Sequence, residues 1–440
     1  MDKKYNENVA FNKLIQAYKS NCHEEVIDLA RKTSDEIINN HLAHDIIASS
    51  NMILGRLHSA RNHYLKSLKL MPSNPETLHN LGLVHTNLNQ YDSALKHLNH
   101  AILLDPNYAE AHCAIANIFL IQKNFKEALN SYQIALSLQP NNFEANINIS
   151  AVFLETGEPE RALVPLKKLA QLCPQNTDIF YNTGLANTLL GNHKKAIESF
   201  AKAAYLNSKE PLHWETLAKA MSRGIVSKLA PRDFYELIIK DLLHRTGHYD
   251  SSAIAPFIIN FLFEDTIFSK YANGNSQKTD NTEWFYEAIE DLGRLPILLQ
   301  LMEKVPIANL KVEKLFTNLR MWAILNVDKL ERQNKQITFL INLAIQCFIT
   351  EFIYYESNQE KIEVKKLTEK IEKKLRQGLE VNNISLLIIS CYRPLGNLKY
   401  IKNLNKHSLD KRLIALHIEE VNREKFISRK IPSLGTIINP

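Results

Sequence analysis

The chain has 440 residues, 45% hydrophobic and 23% charged, which excludes a disordered polypeptide and leaves room for two or three domains or one extended array. Its 53 basic residues against 47 acidic give a net charge of +6. The excess is spread along the chain rather than gathered in a block, which argues for solubility and against nucleic-acid binding. Cys22, Cys113, Cys173, Cys347 and Cys391 are isolated and form no Cys-x-x-Cys pair. That usage fits a reduced compartment, so a cytoplasmic protein is expected.

Met1 to Asn6 is followed by no continuous apolar stretch, so no secretory signal is expected. Between Asn6 and Asn40 a weak echo of the following pattern persists, with Val26 standing 34 residues before Ala60 and Ala30 the same distance before Tyr64. Residues 1–40 are read as degenerate helices capping a stack, because a terminal unit buries only one face.

From His41 to Glu210 one small residue returns at a fixed interval: Ala60, Ala94, Ala128, Ala162 and Ala196 are 34 positions apart, and Pro72, Pro106, Pro140 and Pro174 share the step. Twelve residues before each alanine stands Ala48, Gly82, Ala116, Ser150 or Gly184; four after it stands Tyr64, Leu98, Tyr132, Leu166 or Phe200. Small residues where two helix axes approach, flanked by large ones, are what close helical hairpins need. Each proline expels its predecessor from the helical region and ends a unit. A period of 34 with these features signals a helix-turn-helix solenoid.

On Leu81-Gly82, Tyr91, Ala94, Ala101 and Asp105-Pro106 the chain resembles the tetratricopeptide-repeat family. The resemblance covers 41–74, 75–108, 109–142, 143–176 and 177–210, plus one further helix around Trp214, Leu217 and Ala218. It implies an all-α fold, a right-handed α-solenoid over 41–222 followed by a helical domain over 223–440, with the first helix of each repeat lining a concave groove. In that family the groove captures an extended segment of a partner protein. Asn80, Asn148 and Asn182 occupy equivalent places on first helices, with Asn117 three places further along its own. A row of amides offers a donor and an acceptor to a peptide backbone whatever its sequence, or bonds within the array. Glu76, Glu110, Glu144 and Asp178 recur at the same step near first-helix starts. They stabilise the helix dipole by ~0.3–1 kcal/mol each, and if they also rim the groove they favour a basic or neutral segment. Pro165, inside a second helix, predicts a kink.

After Met221 the rhythm stops. Helix is predicted over 223–245, its apolar spacing standing behind a Pro231-Arg232-Asp233 start, then an apolar stretch from Ala253 to Phe268, a loop over 272–281, and helices over 283–292, 295–304, 310–327, 335–356, 359–378, 383–391 and 408–425. No alternating pattern long enough for a sheet appears, and the longest apolar segment, Phe339 to Tyr355, carries Asn342, Gln346 and Glu351, unsuited to a membrane span. The twelve glycines are too scattered for a phosphate loop, His244/His248 and His97/His100 lack the partners of a metal site, and no nucleophile elbow is present. No cofactor, metal or catalytic group is therefore expected. Gln346 to Phe352, Cys391-Tyr392-Arg393-Pro394-Leu395 and Ile431-Pro432-Ser433-Leu434 resemble the helical region joining tetratricopeptide repeats to S-adenosylmethionine-dependent methyltransferase domains in certain bacterial proteins. That resemblance implies a second reading, the non-catalytic, substrate-recruiting part of a truncated or split methyltransferase, which in the split case works with a separate methyltransferase chain.

Overall fold

A computed structural model describes residues 2–32, 39–224, 228–245, 249–274, 282–332, 337–405 and 409–421. Among them all regular structure is helical and no strand occurs. Two compact units divide the chain, 1–191 and 192–440, the division falling between the two helices of the segment 177–210.

Unit 1 begins with α1 (Asp2–Lys19) and α2 (His23–Lys32). Helical hairpins follow: α3 (His41–Ile53) with α4 (Leu57–Leu70), α5 (Pro75–Asn87) with α6 (Tyr91–Leu104), α7 (Ala109–Ile121) with α8 (Phe125–Leu138), α9 (Phe143–Glu155) with α10 (Pro159–Leu172), then α11 (Thr177–Leu189). Each first helix has 13 residues and each second helix 14, so boundaries as well as contacts obey the 34-residue step. Leu14 of α1, Val26 of α2 and Ala43 of α3 close the N-terminal end in one buried cluster.

The helix starts are set by a row of asparagines. Asn40, Asn74, Asn142 and Asn176, on the same step, accept backbone N–H groups of the first turn through their side chains. These bonds satisfy donors that the helix itself leaves unpaired. Tyr108 takes the corresponding place before α7 and makes no side-chain cap. The helix ends follow a second row: Gly55, Asn89, Lys123, Gly157 and Gly191 all have φ between 58° and 75°. This left-handed residue lets the chain fold back, as in the 2.8 Å bonds from Arg56 N to Asn51 O and from Gln90 N to His85 O.

The aligned alanines lie where the spacing places them. Ala60, Ala94, Ala128 and Ala162 are 0% exposed. The small residue of the first helix faces the bulky residue of the second: a Cβ on Gly82 would sit 2.6 Å from Leu98 Cγ. Pro165 lies inside α10, which runs on to Leu172. Lacking an N–H, it withdraws the helical partner of the Arg161 carbonyl.

Unit 2 opens with His193–Leu206 and Pro211–Ser222 and continues as a non-periodic helical assembly. Among the described residues of 223–245, the helix runs over Arg232–His244 and opens at the Pro231-Arg232-Asp233 start read from the sequence, since Pro231 keeps its predecessor out of the helical region. The apolar run splits into Ser251–Phe263 and Thr266–Ala272, because the Asp265 carboxylate caps the N–H groups of Ile267 and Phe268 and starts a new helix. These two meet the length and hydropathy of a membrane span only together, bent by 101° at their break; no single described helix does so alone. The helix expected over 335–356 is Thr338–Ile349, ended by Glu351 and Phe352 at φ 52° and 58°. Asn326 separates Leu310–Leu325 from Val327–Arg332. Most of the loop expected over 272–281 lies outside the described residues.

The core of unit 2 holds stacked Phe285 and Trp322, ring centroids 3.9 Å apart, and a buried charge pair. Arg320 and Glu360, each 1% exposed, meet at 3.5 Å. Glu360 Oε2 accepts the Ser357 N–H in a capping box, while its Oε1 accepts the Tyr392 hydroxyl at 2.8 Å. One carboxylate thus starts the helix Asn358–Arg376 and holds a buried guanidinium.

Candidate functional site: the first-helix face of the repeats

The polar rows predicted from the sequence lie on α5, α7, α9 and α11. Glu76, Glu110, Glu144 and Asp178 stand exposed in the first turns of those helices, where the helix dipole favours them. Asn80, Asn117, Asn148 and Asn182 are half-buried. Second-helix packing fixes the orientation, since the small residues Gly82, Ala116 and Ser150 face inward on the same helices.

Three of the predicted residues form one network. Asn117 Nδ2 donates to Glu144 Oε1 at 2.7 Å, and Asn117 Oδ1 accepts from Asn148 Nδ2 at 2.9 Å and from the Tyr132 hydroxyl at 2.5 Å. A single amide therefore joins α7, α8 and α9. Glu110 accepts from Gln139 Nε2 at 3.0 Å, tying the start of α7 to the end of α8 in the same hairpin. The Asn182 side chain, half-buried, has no hydrogen-bond partner among the described residues.

Tyr132 belongs to the site although the sequence rows do not include it. It is 0% exposed, and a buried hydroxyl requires a partner. Two repeats earlier, Tyr64 makes the equivalent bond to Ser49 at 2.8 Å. Where the bulky position is instead Leu98 or Leu166, the partner position is Leu83 or Ala151. This pairing of a polar residue with each tyrosine was visible in the aligned repeats.

His79 and Tyr108 extend the face, their ring centroids 5.2 Å apart. Burial pushes the His79 imidazole below its usual range, against the raising pull of Asn80, Glu110 and Glu144. Burial, and then Glu76 and Glu110, push the Tyr108 phenol up to about 12. Both effects place the acids of successive repeats within electrostatic reach of one strip of surface.

Residues 75–108 and 109–142, and separately 177–210, match the tetratricopeptide repeat family. The chain carries tetratricopeptide repeats. Among solved structures, MamA is similar at 25% identity over 37% of this chain and 95% of that one, with a TM-score of 0.34. YrrB, described as a TPR protein with an unusual peptide-binding site, is 22% identical over 42% of this chain and 94% of that one, TM-score 0.35. PilF of Pseudomonas aeruginosa is 16% identical over 49% and 96%, TM-score 0.41. No curated protein matches the sequence.

The three family matches all lie within the tetratricopeptide array, before residue 211. Of the segments carrying the methyltransferase-linker resemblance, Cys347 and Cys391 are 0% and 2% exposed, and Tyr392 is engaged with Glu360, so these residues build the core of unit 2. Ile431 to Leu434 lie outside the described residues. His244 Nε2 meets Gln300 Nε2 at 2.9 Å, His97 stacks on His85 with centroids 5.3 Å apart, and His248 lies outside the described residues. Among the described residues no three His, Cys, Asp or Glu side chains gather as metal ligands.

Proposed function

We propose that the protein is a protein-interaction scaffold whose tetratricopeptide array holds an extended segment of a partner protein along the first-helix face. The observation carrying this reading is the polar strip itself, in which half-buried amides alternate with exposed carboxylates across successive repeats, their spacing fixed by the 34-residue step. Amides spaced by repeats suit a peptide backbone, whose donors and acceptors also recur, and a solenoid gains such a surface without any reactive group. The array as a functional element is proposed to span 41–222, with 223–440 a separate helical domain.

Within this reading the asparagines divide the work. Asn80 and Asn182 contact the partner backbone, and Asn148 does so from a position held by Asn117. Glu76, Glu110, Glu144 and Asp178 set the sign of the partner, favouring a segment with lysine, arginine or no charge. Nothing in the residues of unit 2 favours the methyltransferase partnership over this scaffold role.

Fluorescence polarisation of the full chain with a short lysine- and serine-rich peptide tests the proposal. Binding should weaken with salt, and replacing Glu76, Glu110 and Glu144 together by Gln should lower affinity about tenfold while circular dichroism is unchanged. Replacing Asn80 and Asn182 together by Ala should weaken lysine-rich and uncharged peptides alike. Equal affinity for a glutamate-rich peptide, or affinity indifferent to both sets of substitutions, would remove the first-helix face as the binding surface.

A further inference from the structure

The repeat step generates clefts as well as helices. In unit 1 a cleft of about 430 Å³ opens beside α9 and α10, lined by Asn146, Ile149, Phe153, Arg161, Pro165 and Lys168 among others. Three 34-residue steps earlier the same positions are His44, Ile47, Asn51, Ser59, His63 and Lys66, and they too line a cleft, of about 370 Å³, between α2, α3 and α4. Repeat geometry makes the space in both places; the side chains decide what it can hold. The later cleft is apolar, with the Arg161 guanidinium laid over the Phe153 ring at 4.2 Å. The earlier one sets two imidazoles and three cations beside Ile27, Ala30 and Ile47.

His44, 5% exposed, and His63 meet through their Nδ1 atoms at 3.2 Å. A neutral imidazole carries one ring hydrogen, so this contact pairs a ring protonated on Nδ1 with one protonated on Nε2. Arg31, Arg56 and Lys66 add three fixed positive charges to the lining, and no carboxylate belongs to it. Glu24 and Asp28, 64% and 62% exposed, pair with Arg56 and Arg31, themselves 41% and 74% exposed, at 2.7 and 3.4 Å. Asp45, the remaining acid nearby on α3, accepts from the Thr77 hydroxyl at 3.0 Å. Lys66 makes no ion pair among the described residues. Lys66 is thus the unbalanced fixed charge of the lining, and a dianion that displaces the two exposed carboxylates faces all three cations in a concave space, where it is held more strongly than on open surface.

We propose that the cleft between α2, α3 and α4 is an anion site that takes a phosphomonoester group. Two guanidinium forks and an ammonium match the oxygens of a phosphate dianion, and the volume accommodates that group with the first atoms of its carrier. A dianion also answers the histidine pair. Burial, His44 and Lys66 together hold His63 down to about 4, so it is neutral before binding. A bound dianion offsets the charge of Lys66 and of the arginines, and His63 then takes up a proton from solvent. The site does not depend on the peptide-binding reading, since it lies on α2, α3 and α4 and shares no residue with the strip on α5, α7, α9 and α11.

Calorimetric titration of the full chain with phosphoserine, inorganic phosphate and glutamate, in buffers of different ionisation enthalpy near pH 6.5, provides the test. Phosphoserine is expected to bind saturably with net proton uptake, and glutamate at least about tenfold more weakly. Inorganic phosphate matching phosphoserine identifies a free-ion site, whereas tighter phosphoserine identifies a carried group; both support the assignment. Lys66→Gln should reduce phosphoserine affinity about tenfold, and His63→Gln should abolish the proton uptake. Lys69→Gln, one turn further along α4 and outside the lining, should change neither. Absence of saturable binding, or equal losses from Lys66→Gln and Lys69→Gln, would overturn the proposal.

Discussion

At the residue scale, the informative side chain is Asn117. Its amide satisfies the buried Tyr132 hydroxyl, fixes Asn148 and donates to Glu144, so its first duty is inside the array. Asn117→Ala should destabilise unit 1 by ~1–3 kcal/mol in urea unfolding, because a buried hydroxyl loses its partner. Adding Tyr132→Phe should restore part of that loss, since both ends of the bond are then gone. A double-mutant cycle with no coupling between 117 and 132 would show that the bond contributes nothing. The asparagine row was legible from spacing alone. Its division into Asn117 and Asn148, bonded to each other across the helix interface, and Asn182, which has no such bond among the described residues, was not, because a sequence position does not say what lies opposite an amide across that interface.

At the scale of the element, the hairpin depends on two positions that composition hides. Gly82 faces Leu98 so closely that a methyl group cannot enter without displacing it. Gly82→Ala should therefore cost ~1–3 kcal/mol despite the better helix propensity of alanine, read as a lowered urea midpoint. The turn position works in the opposite direction. Lys123 adopts φ 60°, where Gly55, Gly157 and Gly191 stand in sister repeats. Lys123→Gly should stabilise the array by ~1 kcal/mol, since a side chain in the left-handed region is strained; an unchanged or lower midpoint would show that the lysine supplies a compensating contact.

At the scale of the whole molecule, a buried and a half-buried histidine set the response to acid. Burial holds His417, 0% exposed, down to about 4, and burial with His44 and Lys66 does the same for His63. Both groups bind protons more readily unfolded, near 6.5, than folded. Stability should therefore be full above that value and fall as pH drops towards 4, by up to about 3 kcal/mol for His417. Urea midpoints measured between pH 7.5 and 4.5 check this: His417→Gln should flatten the profile of the unit 2 transition, and an unchanged slope would remove His417 as its cause.

Taken by itself, the sequence determined the repeat. A small residue, a bulky one and a proline returning every 34 positions leave helical hairpins as the arrangement that buries all of them, and a short-range rule repeated many times is legible without coordinates. The same reading placed most helices of unit 2, because apolar periodicity is also local, but it ran past Asp265 and Ile349, where a cap and left-handed residues interrupt a run that hydrophobicity alone would extend. Only the tertiary structure decided which polar residues share a surface. The Asn117 network, the Arg320–Glu360 pair and the cationic cleft on α2, α3 and α4 each join residues from different helices, and their relation is fixed by packing distance rather than by spacing along the chain.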